Sequence, residues 1–250
     1  MNAALTAAIA TAGLAGAAGA VHAFPALARV RPLAIRVTPR LVGQGRGDHV
    51  ALTFDDGPDP ASTPAILAEL DRLGCHATIF MLGGMARRAP SLVAELVAAG
   101  HEAAVHGETH QSMLSRGPRA VRRDIQCATD VIADAAGVAP RWFRPPFGAL
   151  SSGAVTGARR AGLTTVLWTT WGRDWRAEAT PDTVVADVLH HDVAGGTVLL
   201  HDSDCESAPG SWRSTLGALA PLAERIRARG LAVGPLRDHG LVRRHPPARV

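Results

Sequence analysis

The sequence predicts an α/β fold, a distorted (β/α) barrel of about seven units in a single domain. Three observations carry that prediction. From residue 48 onward, short β-like runs alternate with helical patterns about seven times, the order expected of a parallel sheet with helical crossovers. No internal repeat and no low-complexity tract interrupts them, and the choice lies between an open doubly wound sheet and a closed barrel. Asp55-Asp56, His106, Arg144, Asp174 and His201 each follow a different predicted strand. A barrel gathers those strand ends on one face, whereas an open sheet spreads them along an edge.

In chain order, His49 to Phe54 is a short apolar run between turn formers and reads as a buried strand. Thr63-Pro64 suits a helix start, with Gly74 ending that helix after Leu73. His76 to Leu82 is strand-like, Pro90 to Ala99 is a helix closed by Gly100, and Glu102 to Val105 is a short strand. Pro118 to Ala136 is amphipathic, with Val121, Ile125, Ala128, Ile132 and Ala135 on one face and Gly137 as its stop. A strand at Arg141 to Phe143, a helix near 152–161 and a strand at Thr164 to Trp168 follow. A helix over 181–191 precedes the strand Thr197 to Leu200. Trp212 to Arg229 is the last helix, with Pro221 a point of kinking or restart and its arginines suited to the C-terminal dipole. Leu231 to Val233 closes the pattern.

Composition sets the class. The 250 residues are 47% apolar and 19% charged, enough for a real core and unlike a disordered chain. Arginine supplies every basic side chain apart from histidine, and the arginines are scattered except near the termini, so a net charge of +4 gives no nucleic-acid footprint. Three widely spaced cysteines, Cys75, Cys127 and Cys205, argue against a disulfide framework and fit buried thiols. Residues 1–47 form a separate region: an apolar, Ala- and Gly-dominated stretch to Val21, then a Pro/Arg/Gly-rich linker or arm. The first part fits a signal peptide, a weak membrane anchor or a misassigned start. Arg29, Arg31, Arg36 and Arg40 would hold the side that follows in the cytoplasm. The catalytic unit is expected over 48–236, with a basic tail at 237–250.

The chemistry gathers at a few positions. Adjacent carboxylates at the end of a strand, Asp55-Asp56 before Gly57-Pro58, form a like-charge pair that needs compensation; an Asp-Gly-Pro turn is the purely structural reading. On a strand, neighbouring side chains point to opposite faces, so both can serve one site only where the strand is ending. His106-Gly107-Glu108-Thr109-His110 places two imidazoles four apart, a spacing that lets both face one metal on a helical turn. With 11 histidines in the chain such a pair also arises by chance, as His190-His191 at a solvated helix end illustrates. Two imidazoles and one carboxylate would leave open positions on a divalent cation, and the second carboxylate free to act as a base toward water. For Arg144 a structural ion pair, for Asp174 a turn beside Arg173, and for His201-Asp202 a core pair are the alternatives. Trp142, Trp168, Trp171 and Trp212 read as core or groove wall.

TFDDGPDP at 53–60, HGETH at 106–110, FRPPFG at 143–148, RDW at 173–175 and LLHD at 199–202 together resemble the five ordered motifs of the polysaccharide deacetylase family, carbohydrate esterase family four. The resemblance spans about 48–235. It implies Asp55 as catalytic base and Asp56, His106 and His110 as ligands of a divalent metal, most often Zn2+, with Co2+ an alternative. It further implies Arg144 as the residue holding the base and the Phe147 backbone N–H as an oxyanion donor. Asp174 and His201 correspond to the orienting carboxylate and the general acid, and Trp175 and Leu199 to walls around the acetyl methyl. Gly107 stands where the family usually has Ser or Thr, Gln111 where it has Pro, and Trp171 where it often has Asp; these bear on loop rigidity, metal affinity and substrate preference.

The function so implied is removal of N-acetyl groups from an N-acetylhexosamine-containing glycan, chitooligosaccharide- or peptidoglycan-like. An O-acetyl esterase on xylan and a non-catalytic glycan-binding protein are the competing classes. The expected partner is an acetylated glycan and not nucleic acid, and the chain is expected to act as a monomer. Membrane association through the N-terminal segment stays open. A secreted or envelope-associated location is favoured over a cytoplasmic one.

Overall fold

The computed structural model describes residues 36–241. Expectations for the apolar segment at 1–21 and for most of the tail at 237–250 therefore lie outside the described residues. Among the described residues, no helix is long and apolar enough to cross a membrane.

The sheet is built on β1 (His49–Asp55), whose seven residues are all buried. Its apolar and β-branched side chains fit a strand covered on both faces. β2 (Thr78–Met81), β3 (Glu102–Val105), β4 (Trp142–Phe143) and β5 (Thr164–Thr165) extend it on one side. β7 (Thr197–His201) and β6 (Thr170–Trp171) extend it on the other, giving the order β5-β4-β3-β2-β1-β7-β6, all pairs parallel. β8 (Ala232–Gly234) pairs with the start of β1. Ala51 is in register with both Thr197 and Gly234, so β7 and β8 occupy opposite edges of β1. The result is a curled half-barrel, in agreement with the distorted barrel that the alternation predicts.

The helices are α1 (Thr63–Arg72), α2 (Gly83–Arg88), α3 (Pro90–Ala98), α4 (Pro118–Ala136), α5 (Ser152–Arg160), α6 (Pro181–Leu189) and α7 (Trp212–Arg227). Two elements differ from expectation. α2 begins on two glycines, poor helix formers, and is held from outside: Gly83 N–H bonds the Gly107 carbonyl at 2.9 Å and Gly84 N–H that of Glu108 at 3.0 Å. The strand expected to run to Trp168 stops at Thr165, because the chain there crosses from one sheet edge to the other and restarts as β6. In that crossing, Leu167 N–H bonds the Leu41 carbonyl at 2.7 Å. Pro221 leaves α7 one helix from 212 to 227. At the start of α1 the N-cap position is Ser62, whose side chain makes no capping hydrogen bond, and Thr63 is the first helical residue.

Strand alternation divides the core. Val50, Leu52 and Phe54 point outward with Ile79, Met81 and Val105 into the large cluster under the helices. Ala51, Phe80, Ala104, Trp142 and Val166 fill the concave side, with Leu236 and Leu241 from the C-terminal segment. Thr53 and Asp55 share the concave phase of β1, so the fold aims Asp55 inward before any polar contact is made. The expectation of buried thiols holds for Cys75 only; Cys127 and Cys205 are exposed, and all three are free.

Candidate active site

Asp55 and Asp56 reach one site because the backbone breaks its pleat between them. Asp56 has φ 86°, a left-handed conformation that costs a non-glycine residue about 1–3 kcal/mol. That twist turns its carboxylate to the side where Asp55 already points. The turn is latched by Asp202, whose carboxylate accepts from Gly57 N–H at 3.1 Å and from Thr63 Oγ1 at 2.6 Å. A Cβ at position 57 would collide with that carboxylate, which explains the glycine. Asp202 is thus not the partner of His201.

Arg144, fully buried after β4, donates from Nη1 to Asp55 Oδ1 at 2.6 Å and to Thr53 Oγ1 at 3.0 Å, and from Nη2 to the Leu167 carbonyl at 2.9 Å. Its guanidinium lies 4.0 Å from the centre of the Phe80 ring. Burial pushes the Asp55 carboxyl above the usual carboxylate range, and the Arg144 charge opposes it.

His106 and His110 converge through a non-helical bend, not a helical turn. Gly107 adopts φ 100° there, and a Cβ on it would lie 3.0 Å from Asp124 Oδ1. Asp124, buried on α4, accepts from Glu108 N–H at 2.9 Å and pairs with Arg116 at 2.6 Å, so a carboxylate from a neighbouring helix braces the loop. His106 Nδ1 lies 2.9 Å from the Arg144 carbonyl, which accepts its proton and leaves the Nε2 lone pair toward Asp56. Both Nε2 atoms stand 3.5 Å from Asp56 Oδ1.

This donor set fits a divalent cation. One ligand atom each from Asp56, His106 and His110 falls within 4.8 Å of the others. Asp56 Oδ1 is buried without a hydrogen-bond partner among the described residues. Burial, with Asp55 adding to it, pushes the Asp56 carboxyl up to about 7, and burial holds the His110 imidazole down at about 4. Neutral imidazoles beside an uncompensated carboxylate are the state that a metal ion stabilises.

Opposite stands His201, at the end of β7. Its Nδ1–H donates to Asp174 Oδ1 at 2.9 Å and its backbone N–H to Asp174 Oδ2 at 2.7 Å, while Thr215 Oγ1 donates to Oδ2 at 2.6 Å. Burial pulls the imidazole down, but the Asp174 carboxylate, with Asp56 and Asp55 beyond it, outweighs that and lifts it to about 10. Asp174 itself lies below the ordinary range: burial raises it, and His201 and its hydrogen bonds overcome the rise. Asp174 is therefore no turn partner of Arg173, whose guanidinium lies 5.5 Å from the Trp171 ring centre instead.

These groups share one pocket of ≈ 310 Å³, lined by Asp55, Asp56, His106, His110, His201, Phe147, Leu199, Trp175, Trp168, Trp171 and the loop residues Glu206 and Ser207. Phe147 sits at φ 58° with its ring 4.4 Å from that of His110. Trp175 packs edge-on against His201, at 5.5 Å between centroids. Trp142 is core, with Nε1–H on Glu102 at 2.9 Å, and His190 and His191 are exposed and outside the site. All ten residues read as candidates therefore meet: eight of them line the pocket, while Arg144 and Asp174 stand behind it. Asp124, Thr215 and Glu206 were missed; only Asp124 carried a signal, a carboxylate three residues after Val121 on the apolar face of α4.

A parallel β/α half-barrel with a His–His–Asp donor set able to hold a divalent metal, a buried Arg–Asp pair and a His–Asp pair around one pocket defines a hydrolase-type site. Residues 43–166 match the polysaccharide deacetylase family. A chitooligosaccharide deacetylase of Bradyrhizobium sp. (strain ANU 289) is 36% identical over 197 residues, 75% of this chain and 88% of that protein. A peptidoglycan-N-acetylglucosamine deacetylase of Bacillus cereus is 34% identical over 72% of this chain and 83% of its own. The solved family 4 carbohydrate esterase from Streptomyces lividans, in complex with acetate, superposes with a TM-score of 0.67 at 33% identity, covering 76% of this chain and 93% of that one. The chain belongs to the polysaccharide deacetylase family.

Proposed function

We propose that this protein hydrolyses N-acetyl groups of an N-acetylhexosamine-containing glycan, chitooligosaccharide- or peptidoglycan-like, and releases acetate. The observation that carries the reading is the placing of the Asp55–Arg144 pair beside the Asp56, His106 and His110 donors and facing the His201–Asp174 pair across one pocket. Names of relatives in both substrate classes support it.

Asp56, His106 and His110 would hold the metal, with zinc the proposed ion because two imidazoles and a carboxylate suit it. When bound, such an ion supplies Lewis-acid polarisation and eases deprotonation of water. Asp55 takes the proton of the attacking water, and Arg144 keeps that carboxylate ionised and aimed. The Phe147 backbone N–H donates to the oxygen that becomes negative as the carbonyl carbon turns tetrahedral. The acetyl methyl lies against Trp175 and Leu199. His201, charged at neutral pH because Asp174 holds it so, gives its proton to the departing amine, which is too poor a leaving group as an anion.

Envelope or extracellular action follows from such a substrate and is part of the proposal. Purified protein supplied with Zn2+ or Co2+ should release acetate from chitooligosaccharide or peptidoglycan. If metal-loaded protein is inert on amide and ester substrates alike, the reading falls.

A further inference from the structure

The two imidazoles of the donor set are anchored differently. His106 has its Nδ1 on the Arg144 carbonyl at 2.9 Å. His110 has no such backbone anchor: its side chain is only 9% exposed, yet Nδ1 has no hydrogen-bond partner among the described residues. The Glu206 carboxylate, 43% exposed, stands 3.5 Å from that nitrogen, within ion-pair distance but longer than a formed N–H···O bond, so a small side-chain rotation would close it.

The loop that carries Glu206 is tied down on both sides. Ser203 Oγ bonds Asp59 Oδ2 at 3.0 Å and accepts from Cys205 N–H at 3.1 Å. Beyond Glu206, Ala208 N–H bonds the Trp175 carbonyl at 3.0 Å. Glu206 is therefore delivered to the pocket wall by a braced backbone. It approaches the Nδ1 side of His110, whereas the metal donors of the set meet on the Nε2 side, so it is not a fourth ligand.

We propose that Glu206 is the positioning residue of His110: its carboxylate accepts the Nδ1–H proton and so keeps the lone pair on Nε2, facing Asp56. A neutral imidazole carries one proton and one lone pair, and an acceptor at one nitrogen decides where each resides. Without that acceptor the ring is free to place its proton on Nε2, toward the nearby Asp56 carboxylate, where it blocks a metal. The inference rests on the reading of Asp56, His106 and His110 as metal ligands.

The test compares the full chain with Glu206→Ala, Glu206→Gln, His110→Ala and, as a charge control, Glu178→Gln, whose carboxylate is 75% exposed beside Arg176. Zinc affinity is read by competition with a chromophoric chelator, and the His110 tautomer by imidazole 15N shifts of the metal-free protein at neutral pH. Glu206→Ala should weaken zinc binding by about tenfold or more and move His110 toward the Nε2–H tautomer. Glu206→Gln, whose amide oxygen still accepts, should lie between, and Glu178→Gln should match the wild type. An unchanged His110 tautomer in Glu206→Ala overturns the proposal, whatever happens to zinc. Unchanged zinc affinity in His110→Ala overturns the ligand reading instead, and the tautomer shift still decides the role of Glu206.

Discussion

His106 Nδ1 lies 2.9 Å from the backbone carbonyl of Arg144, and the side chain of the same arginine holds Asp55 at 2.6 Å. One residue after a two-residue strand thus sets the orientation of an imidazole in the donor set and of the proposed base. The guanidinium spends its donors on Asp55, Thr53 and Leu167 and cannot be matched by a lysine, which offers no planar fork. Arg144→Met leaves a buried carboxylate uncompensated and should destabilise the fold by about 3–5 kcal/mol. Arg144→Lys should retain part of that stability and lose turnover. Urea unfolding beside acetate release checks both.

The twist at Asp56 separates two roles that adjacency would otherwise blur. Asp56→Asn should chiefly weaken metal binding. Asp55→Asn should leave the metal bound and lower kcat by about 10²–10⁴-fold. Metal content and turnover measured on the same preparations decide the matter; equal loss of metal in both variants refutes the division.

Asp124 braces the loop at Gly107, accepting from Glu108 N–H and lying 3.0 Å from where a Cβ at 107 would stand. Placing a hydroxyl residue there should therefore not help. Gly107→Ser puts a side chain at φ 100° and close to Asp124, and should cost about 1–3 kcal/mol. Asp124→Ala should loosen residues 107–110, visible as faster amide exchange there and weaker metal binding.

His201 lifted to about 10 has a definite pH consequence. The folded state holds the proton more tightly than the unfolded chain, where histidine titrates near ~6.5. The stabilisation is fully present below that lower value and is lost as pH rises through about 10. Turnover that needs the imidazolium should fall on the same alkaline side. In Asp174→Asn the titration should move down toward an ordinary histidine, which NMR on the metal-free protein would follow.

Much of this was readable because periodicity and order are local. Apolar runs and helix stops located most elements, and five ordered motifs located the ten candidate residues that the fold brings together. What escaped was non-local. α2 starts on Gly83-Gly84 and exists because the 107–108 carbonyls receive its first N–H groups. The strand at 164 ends early because Leu167 binds Leu41, 126 positions away. Asp124 and Glu206 act through partners 16 and 96 residues distant, and nothing in their own neighbourhoods announces those partners. The two exposed cysteines show the limit of reading burial from residue type alone.

The crossing between the sheet edges bears on how the molecule comes into being. Leu41 bonds there to Leu167, Gly43 accepts from Thr197 Oγ1 at 2.7 Å, and His239 Nε2 lies 3.1 Å from the same Gly43 carbonyl, 196 residues away. Leu236 N–H reaches Thr78 Oγ1 at 2.9 Å across a separation of 158. Contacts of such span close loops late, and they slow folding relative to helix-rich domains of equal size. The stretch that seats Arg144 through the Leu167 carbonyl adjoins a segment held by Thr197 and His239, far along the chain, so this side of the pocket is expected to order late in folding.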